Sequence, residues 1–225
     1  GTPLRDLAPV AGMPLSLLEF SQTQVTSLEP LRGLPLETLL MPGLGVRDIS
    51  ALEGMPLTSL VCSRNQIRDI SVLAGMPLRR LTVHNNLVED LSPLEDVPLW
   101  HLQVAANPLR SLAPFETEAP EAMTFDTVAG GPQAVERVLR AWELSGATLS
   151  ARFSRTAIAA RRHDKTELRR LATRFRGHRY LFIPADMTFD EAAGLARDFG
   201  GHLATIADEE EERVLYSLLR REAGA

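Results

Sequence analysis

The side chains of this sequence that most often carry chemistry are a single cysteine and five histidines. The histidines are His84, His101, His163, His178 and His202. A cysteine can act as a nucleophile, and histidines can bind metal ions or transfer protons. None of the histidines lies at metal-ligand spacing from the cysteine or from carboxylates, and no G-x-S-x-G, phosphate-loop or H-E-x-x-H motif is present. The sequence therefore predicts a chain without catalytic residues, metal ligands or a cofactor.

Asparagines recur at a 21-residue interval in the middle of the chain, as Asn65, Asn86 and Asn107. A side-chain amide both donates and accepts hydrogen bonds, so it can satisfy backbone groups where the chain leaves a strand. Asparagines at one position of successive turns therefore predict a structural ladder. The two preceding equivalent positions hold Thr23 and Leu44, which predicts looser turns there.

The same period governs the apolar residues. Prolines at positions 14, 35, 56, 77 and 98 are each followed at once by a leucine, and a second leucine comes four places after each proline. Other apolar residues recur six, eleven, fourteen and seventeen places after it. This is the L-x-x-L-x-L-x-x-N-x-L pattern of leucine-rich repeats. It predicts an α/β solenoid of 21-residue repeats over residues 1–118, in which alternate strand side chains fill a shared core.

Strand positions between the core columns face the concave surface of a solenoid, where partners usually dock. They lie three, five and seven places after each proline, and they become more polar toward the C-terminal repeats. Together with a turn arginine, they form a candidate binding site for a protein partner; an ordinary mixed surface is the alternative. The candidate residues are Arg64, Arg80, His84, His101 and Gln103. Cys62 instead falls in a core column, which predicts a buried thiol and not a nucleophile.

The column pattern stops after Phe115, and an acidic stretch follows at residues 116–121. Pro132, just after two glycines, is typical of a helix start, and Gly146 of a helix end. Between them an apolar face recurs at helical spacing, which predicts a helix that covers the last repeat or packs on the next domain. Its residues are Val135, Val138, Leu139 and Trp142. Residues 119–176 are accordingly predicted to be a helical, basic linker.

Ten Lys or Arg and only two acidic residues lie within residues 151–179. Aromatic residues do not alternate with them as in nucleic-acid interfaces, so the pattern favours a solvated helix face over a nucleic-acid or membrane contact. Asp164 and Glu167 resemble a capping box and predict a helix to about Phe175. The net charge of −5 argues against nucleic-acid binding by the chain as a whole. The sequence has no apolar run long enough to predict a membrane span.

From about residue 177 the character of the sequence changes. The order is G-H-R-Y-L-F, T-F-D-E-A-A-G-L-A, G-G-H-L-A-T-I and D-E-E-E. We predict a strand, a helix at residues 188–199, a second strand at 203–206 and a second helix at 208–220. This order resembles the opening of a C-type-lectin-like domain, in which acidic residues begin the second helix. Phe189 stands where the family has tryptophan and Ala196 where it has cysteine, so the family's first-helix disulfide is absent. The resemblance implies a truncated α+β module over residues 177–225, of a bacterial variant. The family's calcium and sugar ligands would lie beyond residue 225, so carbohydrate binding is expected only of a complete domain.

Repeats of this kind before a lectin-like opening resemble large planctomycete or verrucomicrobial proteins, some of which carry a Ser/Thr kinase domain upstream. The resemblance implies a fragment cut at both ends, from the cytoplasm or cell envelope of a bacterium. The expected function is a non-catalytic protein-interaction module on the concave face. The alternative is an accessory region of a larger enzyme, with a kinase-like domain upstream or a formylglycine-generating-type domain downstream.

Overall fold

The computed structural model describes residues 4–21, 23–116, 119–126, 128–146, 154–156, 158–159, 164–175, 178–181, 189–198 and 201. Six short strands form one parallel sheet in chain order. The strands are β1 (Leu17–Glu19), β2 (Thr38–Leu40), β3 (Ser59–Val61), β4 (Arg80–Thr82), β5 (His101–Gln103) and β6 (Ala122–Thr124). Partners in neighbouring strands are 21 residues apart throughout, as in Leu39 opposite Leu60. One repeat thus supplies one strand, and the architecture is the leucine-rich-repeat solenoid that the period predicts.

The core lies behind the sheet. The leucines at the middle of β2 to β5 have 0% exposed surface, and the aliphatic columns that follow each strand join the same apolar cluster. Cys62 is buried there, and desolvation raises the pKa of its thiol to about 12. A thiol with that pKa stays protonated at neutral pH, which makes it a poor nucleophile.

The opposite side of the solenoid is built from 3-10 helices. They span Ala8–Val10, Glu29–Leu31, Ser50–Leu52, Ser71–Leu73 and Ser92–Leu94. A short polar side chain precedes each one and accepts a hydrogen bond from the backbone N–H two residues on, as Asp69 does from Ser71 at 2.8 Å. This bond satisfies a donor that the short helix leaves without an internal partner. The acceptors are Asp6, Ser27, Asp48, Asp69 and Asp90.

The sheet extends past residue 118, where the sequence placed the end of the solenoid. Strand β6 pairs in parallel with β5, His101 opposite Ala122, and its three residues are all buried. Met123 and Phe125 stand 21 residues after core residues of the previous repeat and take their places in the core. The proline of this repeat is Pro120, one position later than the 21-residue spacing predicts. The proline spacing therefore does not identify this repeat.

Helix α1 (Gly131–Ser145) covers the end of this stack. Val135, Val138, Leu139 and Trp142 belong to the same core cluster as the repeats, and Trp142 is fully buried. The Trp142 ring meets Phe125 edge to face at 5.3 Å between centroids, and its Nε1 donates to the carbonyl of Phe115 at 2.7 Å. Gly146 ends the helix with a φ of 93°, a left-handed conformation that glycine adopts without strain. The sequence left open whether this helix packs on the last repeat or on the next domain, and it packs on the last repeat.

Residues 154–156 and 158–159 are helical and close the free edge of β6. The Ser154 hydroxyl accepts from the backbone N–H of Phe125 at 3.2 Å and donates to the carbonyl of Met123 at 3.4 Å. Arg155 ties this segment to α1 by donating to Glu136 at 3.0 Å and to Glu143 at 3.1 Å. These bonds satisfy the edge groups that would otherwise invite another strand.

Beyond the solenoid, helix α2 (Lys165–Leu171) begins at Asp164, whose side chain accepts from the N–H groups of Thr166 and Glu167. The helix ends four residues before the predicted Phe175. Thr173–Phe175 instead forms β7, which pairs antiparallel with β8 (His178–Tyr180), since β-branched and aromatic residues favour strands. Helix α3 (Phe189–Asp198) lies within the predicted helix 188–199. The predicted strand 203–206 and helix 208–220 lie outside the described residues.

Within the described part of the chain, no helix combines the length and the apolar character that crossing a membrane requires.

Candidate interaction surface

The outer sheet face consists of the residues three and five places after each repeat proline, together with those that replace them on β6. Its exposure changes along the sheet. On β1 both outer residues are exposed, on β2, β3 and β5 they are half-buried, and on β6 both are buried. On β4, Arg80 is exposed and Thr82 is buried. The open part of this face therefore runs from β1 to β5 and ends against a covered strand.

The asparagines hold the turns that follow the strands. The Asn65 side chain accepts from the backbone N–H groups of Leu44 and Val46 at 3.1 and 3.0 Å, and it donates to the carbonyls of Met41 and Cys62 at 3.0 Å. Asn86 and Asn107 repeat this arrangement one and two repeats further on. All three are buried, and each binds backbone of its own and of the preceding repeat, so they link the turns into a rigid rim.

The residue before each of these asparagines has a left-handed backbone. The φ angles are 55° at Arg64, 58° at Asn85 and 56° at Ala106, and Gly43 has 70° at the equivalent place. Their backbone N–H groups point to the next repeat. Those of Gly43, Arg64 and Asn85 donate to its backbone carbonyls, and that of Ala106 donates to the Asp126 carboxylate at 2.8 Å. Hydrogen bonds to the next repeat therefore hold the backbone of these turns in a conformation that is strained for the three residues other than glycine.

Arg80 and His101 are direct neighbours on β4 and β5. The Arg80 guanidinium lies over the Trp100 ring at 5.2 Å from its centroid, and the His101 ring meets the same indole edge to face at 5.4 Å. Burial, with a smaller contribution from the Arg80 charge, lowers the pKa of His101 to about 4. His101 is therefore neutral at pH 7, able to donate from one ring nitrogen and accept at the other.

The structure brings Arg80, His101 and Gln103 together on the outer sheet face, with Gln103 two residues along β5 and half-buried. His84 is different: it is 7% exposed and lies in the turn after β4. Arg64 is half-buried, in the turn after β3. The expectation that all five would share one open surface thus differs from the structure at His84. At the equivalent place of the preceding repeat Ser63 is also buried, whereas Pro42 and Ala105 are half-buried and Ser21 is exposed.

Trp100 was not among the candidates taken from the sequence, although it contacts both Arg80 and His101. It lies just before β5, outside the alternation that marks strand residues, so a search by alternate positions passes over it. The available signal was its type, because tryptophan and arginine are the residues most enriched at binding hot spots.

Catalytic chemistry has few candidates here. Within the described ranges, no three His, Cys, Asp or Glu side chains come close enough together to hold a metal ion. The surface formed by Arg80, Trp100, His101 and Gln103, which we call the Arg80 patch, offers a cation, a flat aromatic ring and neutral hydrogen-bonding groups. Such groups suit non-covalent recognition.

No model of a known protein family matches the sequence, and no curated protein matches it either. Among solved structures, an internalin from Listeria monocytogenes is similar, with 22% sequence identity and a TM-score of 0.44. The similarity covers 62% of this chain and 43% of the internalin chain. This chain therefore matches less than half the length of that protein.

Proposed function

We propose that this chain is a non-catalytic protein-interaction module and that the partner docks on the outer sheet face, the concave side of the solenoid. The observation that carries the proposal is the Arg80 patch on an otherwise open stretch of sheet. The backbone beneath it is fixed by strand pairing and by the buried asparagines. A rigid surface loses little conformational entropy when a partner binds, which favours recognition.

Apolar residues on the same face support a protein as the partner. Leu17 is 57% exposed on β1, and Leu40 and Val61 are half-buried on the next two strands. An apolar surface next to an arginine and a tryptophan has the composition of protein interfaces, in which aromatic residues and arginine are enriched. The opposite side of the solenoid instead consists of short 3-10 helices and the loops that join them.

Site-specific photo-crosslinking tests the side on which the partner docks. A benzophenone amino acid is placed at Ser59 or Gln103 on the outer sheet face and, as a control, at Glu53 or Ala74 on the opposite side. The full chain is incubated with extract of its source cells and irradiated, and the crosslinked proteins are identified by mass spectrometry. We expect a partner to be captured from Ser59 and Gln103 only. Equal capture from both sides, or none from the outer sheet face, would contradict the proposal.

The C-terminal part has its own proposed role. Strand β8 followed by α3 is the order with which C-type-lectin-like domains open, and this supports a lectin-like module at residues 177–225. A complete domain would then add a carbohydrate-binding site. The sequence of the whole gene tests this, because calcium-ligating and sugar-ligating residues should follow residue 225. Reactive cysteines there, or a kinase motif upstream, would instead favour the accessory region of an enzyme.

A further inference from the structure

We infer that the partner presents an acidic, extended peptide segment and that a carboxylate of this segment binds the Arg80 guanidinium beside Trp100. The inference rests on the proposed function, since it names the chemistry of the partner on the same face. It depends on the distribution of charge over the outer sheet face.

Arg80 differs from the arginines that the described structure pairs with carboxylates. In the portion that the structure describes, its guanidinium makes no ion pair, and its one aromatic neighbour is Trp100. Arg68 and Arg110 both pair with Glu89, Arg32 pairs with Glu29, and Arg155 pairs with Glu136. A positive charge that the fold does not neutralise is available to a partner.

The described carboxylates around this part of the outer sheet face are Glu19, Glu121 and Asp126, and none of them forms an ion pair with Arg80. Glu121 is exposed directly before β6, two strands from Arg80. On the outer sheet face, Glu19 lies on β1, three strands away, or about 14 Å at the usual strand spacing. Asp126, in the turn after β6, is 5% exposed and accepts the N–H of Ala106. The exposed Arg79, directly before Arg80, adds a second cation near β4. Two cations therefore stand together at β4, although the whole chain carries −5.

The groups around Arg80 fit a planar carboxylate. Trp100 supports one face of the guanidinium, which leaves its N–H edge for a bidentate bond to a planar carboxylate. Neutral His101 and the Gln103 amide, next to it, can donate further hydrogen bonds without adding charge. The covered strand β6 limits the site on one side, so an extended segment would run toward the apolar residues of β1 to β3.

Selection from a phage-displayed library of random twelve-residue peptides tests the inference. The full chain is the immobilised target, in parallel with an Arg80→Glu chain and an Arg137→Glu chain. Arg137 is the matched control because it is exposed on α1 and has no ion pair within the described ranges. Affinities of the selected peptides are then measured by fluorescence anisotropy for these three chains, an Arg80→Gln chain and a Trp100→Ala chain. Circular dichroism verifies that each chain is folded.

We expect peptides selected on the unchanged chain to be enriched in Asp and Glu. They should bind Arg80→Glu and Arg80→Gln at least about tenfold more weakly, and Arg137→Glu with unchanged affinity. Peptides that lose affinity with Trp100→Ala but carry no acidic enrichment would overturn the acidic partner and leave the proposed function standing. Peptides indifferent to both Arg80 and Trp100, or no selected peptide at all, would overturn both.

Discussion

The two ends of the sheet have the same strand geometry and opposite surroundings. At the β1 end, Leu4, Met13 and Leu17 are 43, 44 and 57% exposed. At the β6 end, every strand residue is buried, α1 packs on the core and Ser154 bonds the strand edge. Strands of the same geometry therefore bury different amounts of apolar surface at the two ends. What covers the repeat decides how much of its apolar surface leaves water.

The largest effect is expected at the covered end. Trp142→Ala removes a fully buried ring, its contact with Phe125 and its bond to Phe115, and should lower the free energy of unfolding by about 3–5 kcal/mol. Urea unfolding followed by circular dichroism measures it. Leu17→Ala at the open end and Leu144→Ala, at an 89% exposed position of α1, are the controls and should each cost less than about 1 kcal/mol. Equal losses in all three would remove the contrast between the ends.

Asparagine occupies the turn position only in the repeats nearer the covered end. Asn86→Ala leaves the N–H of Ile67 and the carbonyls of Cys62 and Val83 without this partner, and should cost about 2–3 kcal/mol. The control, Gln66→Ala, removes an exposed amide that accepts from the Arg47 side chain and should cost under about 0.5 kcal/mol. Thermal and urea unfolding compare the two. A loss as small as that of Gln66→Ala would mean that the ladder does not stabilise the turns.

His101 makes the region near the covered end sensitive to acid. Its pKa is about 4 in the folded chain and about 6.5 when unfolded, so the unfolded state binds more protons between these values. The free energy of unfolding should therefore fall as pH falls from 6.5 to 4. We expect the unchanged chain to lose about 2 kcal/mol more over this range than His101→Gln. Gln103→Ala should keep the pH dependence of the unchanged chain, and identical profiles for all three would refute the assignment.

The residue that adopts the left-handed turn conformation differs between the two ends of the sheet. Gly43 adopts the conformation near the open end, whereas Ala106 must adopt it near the covered end. Ala106→Gly should therefore raise the free energy of unfolding by about 0.5–1 kcal/mol, because relief of strain exceeds the added freedom of the unfolded chain. The neighbouring Ala105→Gly, at a position without positive φ, should lower it. Destabilisation by both substitutions would show that the turn at Ala106 is not strained.

The aspartates that precede three of the 3-10 helices should contribute equally along the sheet. The pKa values of Asp48, Asp69 and Asp90 are lowered, mainly by the backbone N–H groups of the serines that follow them. Their stabilising contribution is present above the unfolded pKa of about 3.9 and disappears as pH falls through the lowered value. Replacing any of the three by Asn should shift the midpoint of acid unfolding slightly and equally. Exposed Asp96→Asn serves as control, and a shift confined to one end would contradict the equivalence.

Most of the solenoid was predictable because burial repeats at a fixed interval. Leu39, Leu60 and Leu81 recur at the same place in each repeat, and any strand register that differs would expose them. The sixth strand escaped prediction because its proline is displaced, although Met123 and Phe125 keep the core spacing. The boundary between α2 and β7 was wrong because the Asp164 cap fixes where a helix begins and not where it ends.

The candidate site was predictable only in part. Alternation along a strand identifies which residues point outward, and Arg80 and His101 do lie together. It does not tell how deeply a side chain beyond the end of the strand lies, and His84 is buried against expectation. It is also silent on residues outside the strand, so Trp100 could be found only from the contacts of the folded chain.

The constant 21-residue register makes the repeat an interchangeable unit of length. Removing residues 56–76 would join two equivalent positions, leaving the order of strand, turn and 3-10 helix intact and Asn86 beside the turn that Asn65 now binds. Removing one residue fewer would leave an extra residue in one repeat, which a loop would have to absorb before the later core side chains return to their columns. A single duplication or deletion of 63 bases in the gene can therefore lengthen or shorten the sheet by one whole strand and its turn.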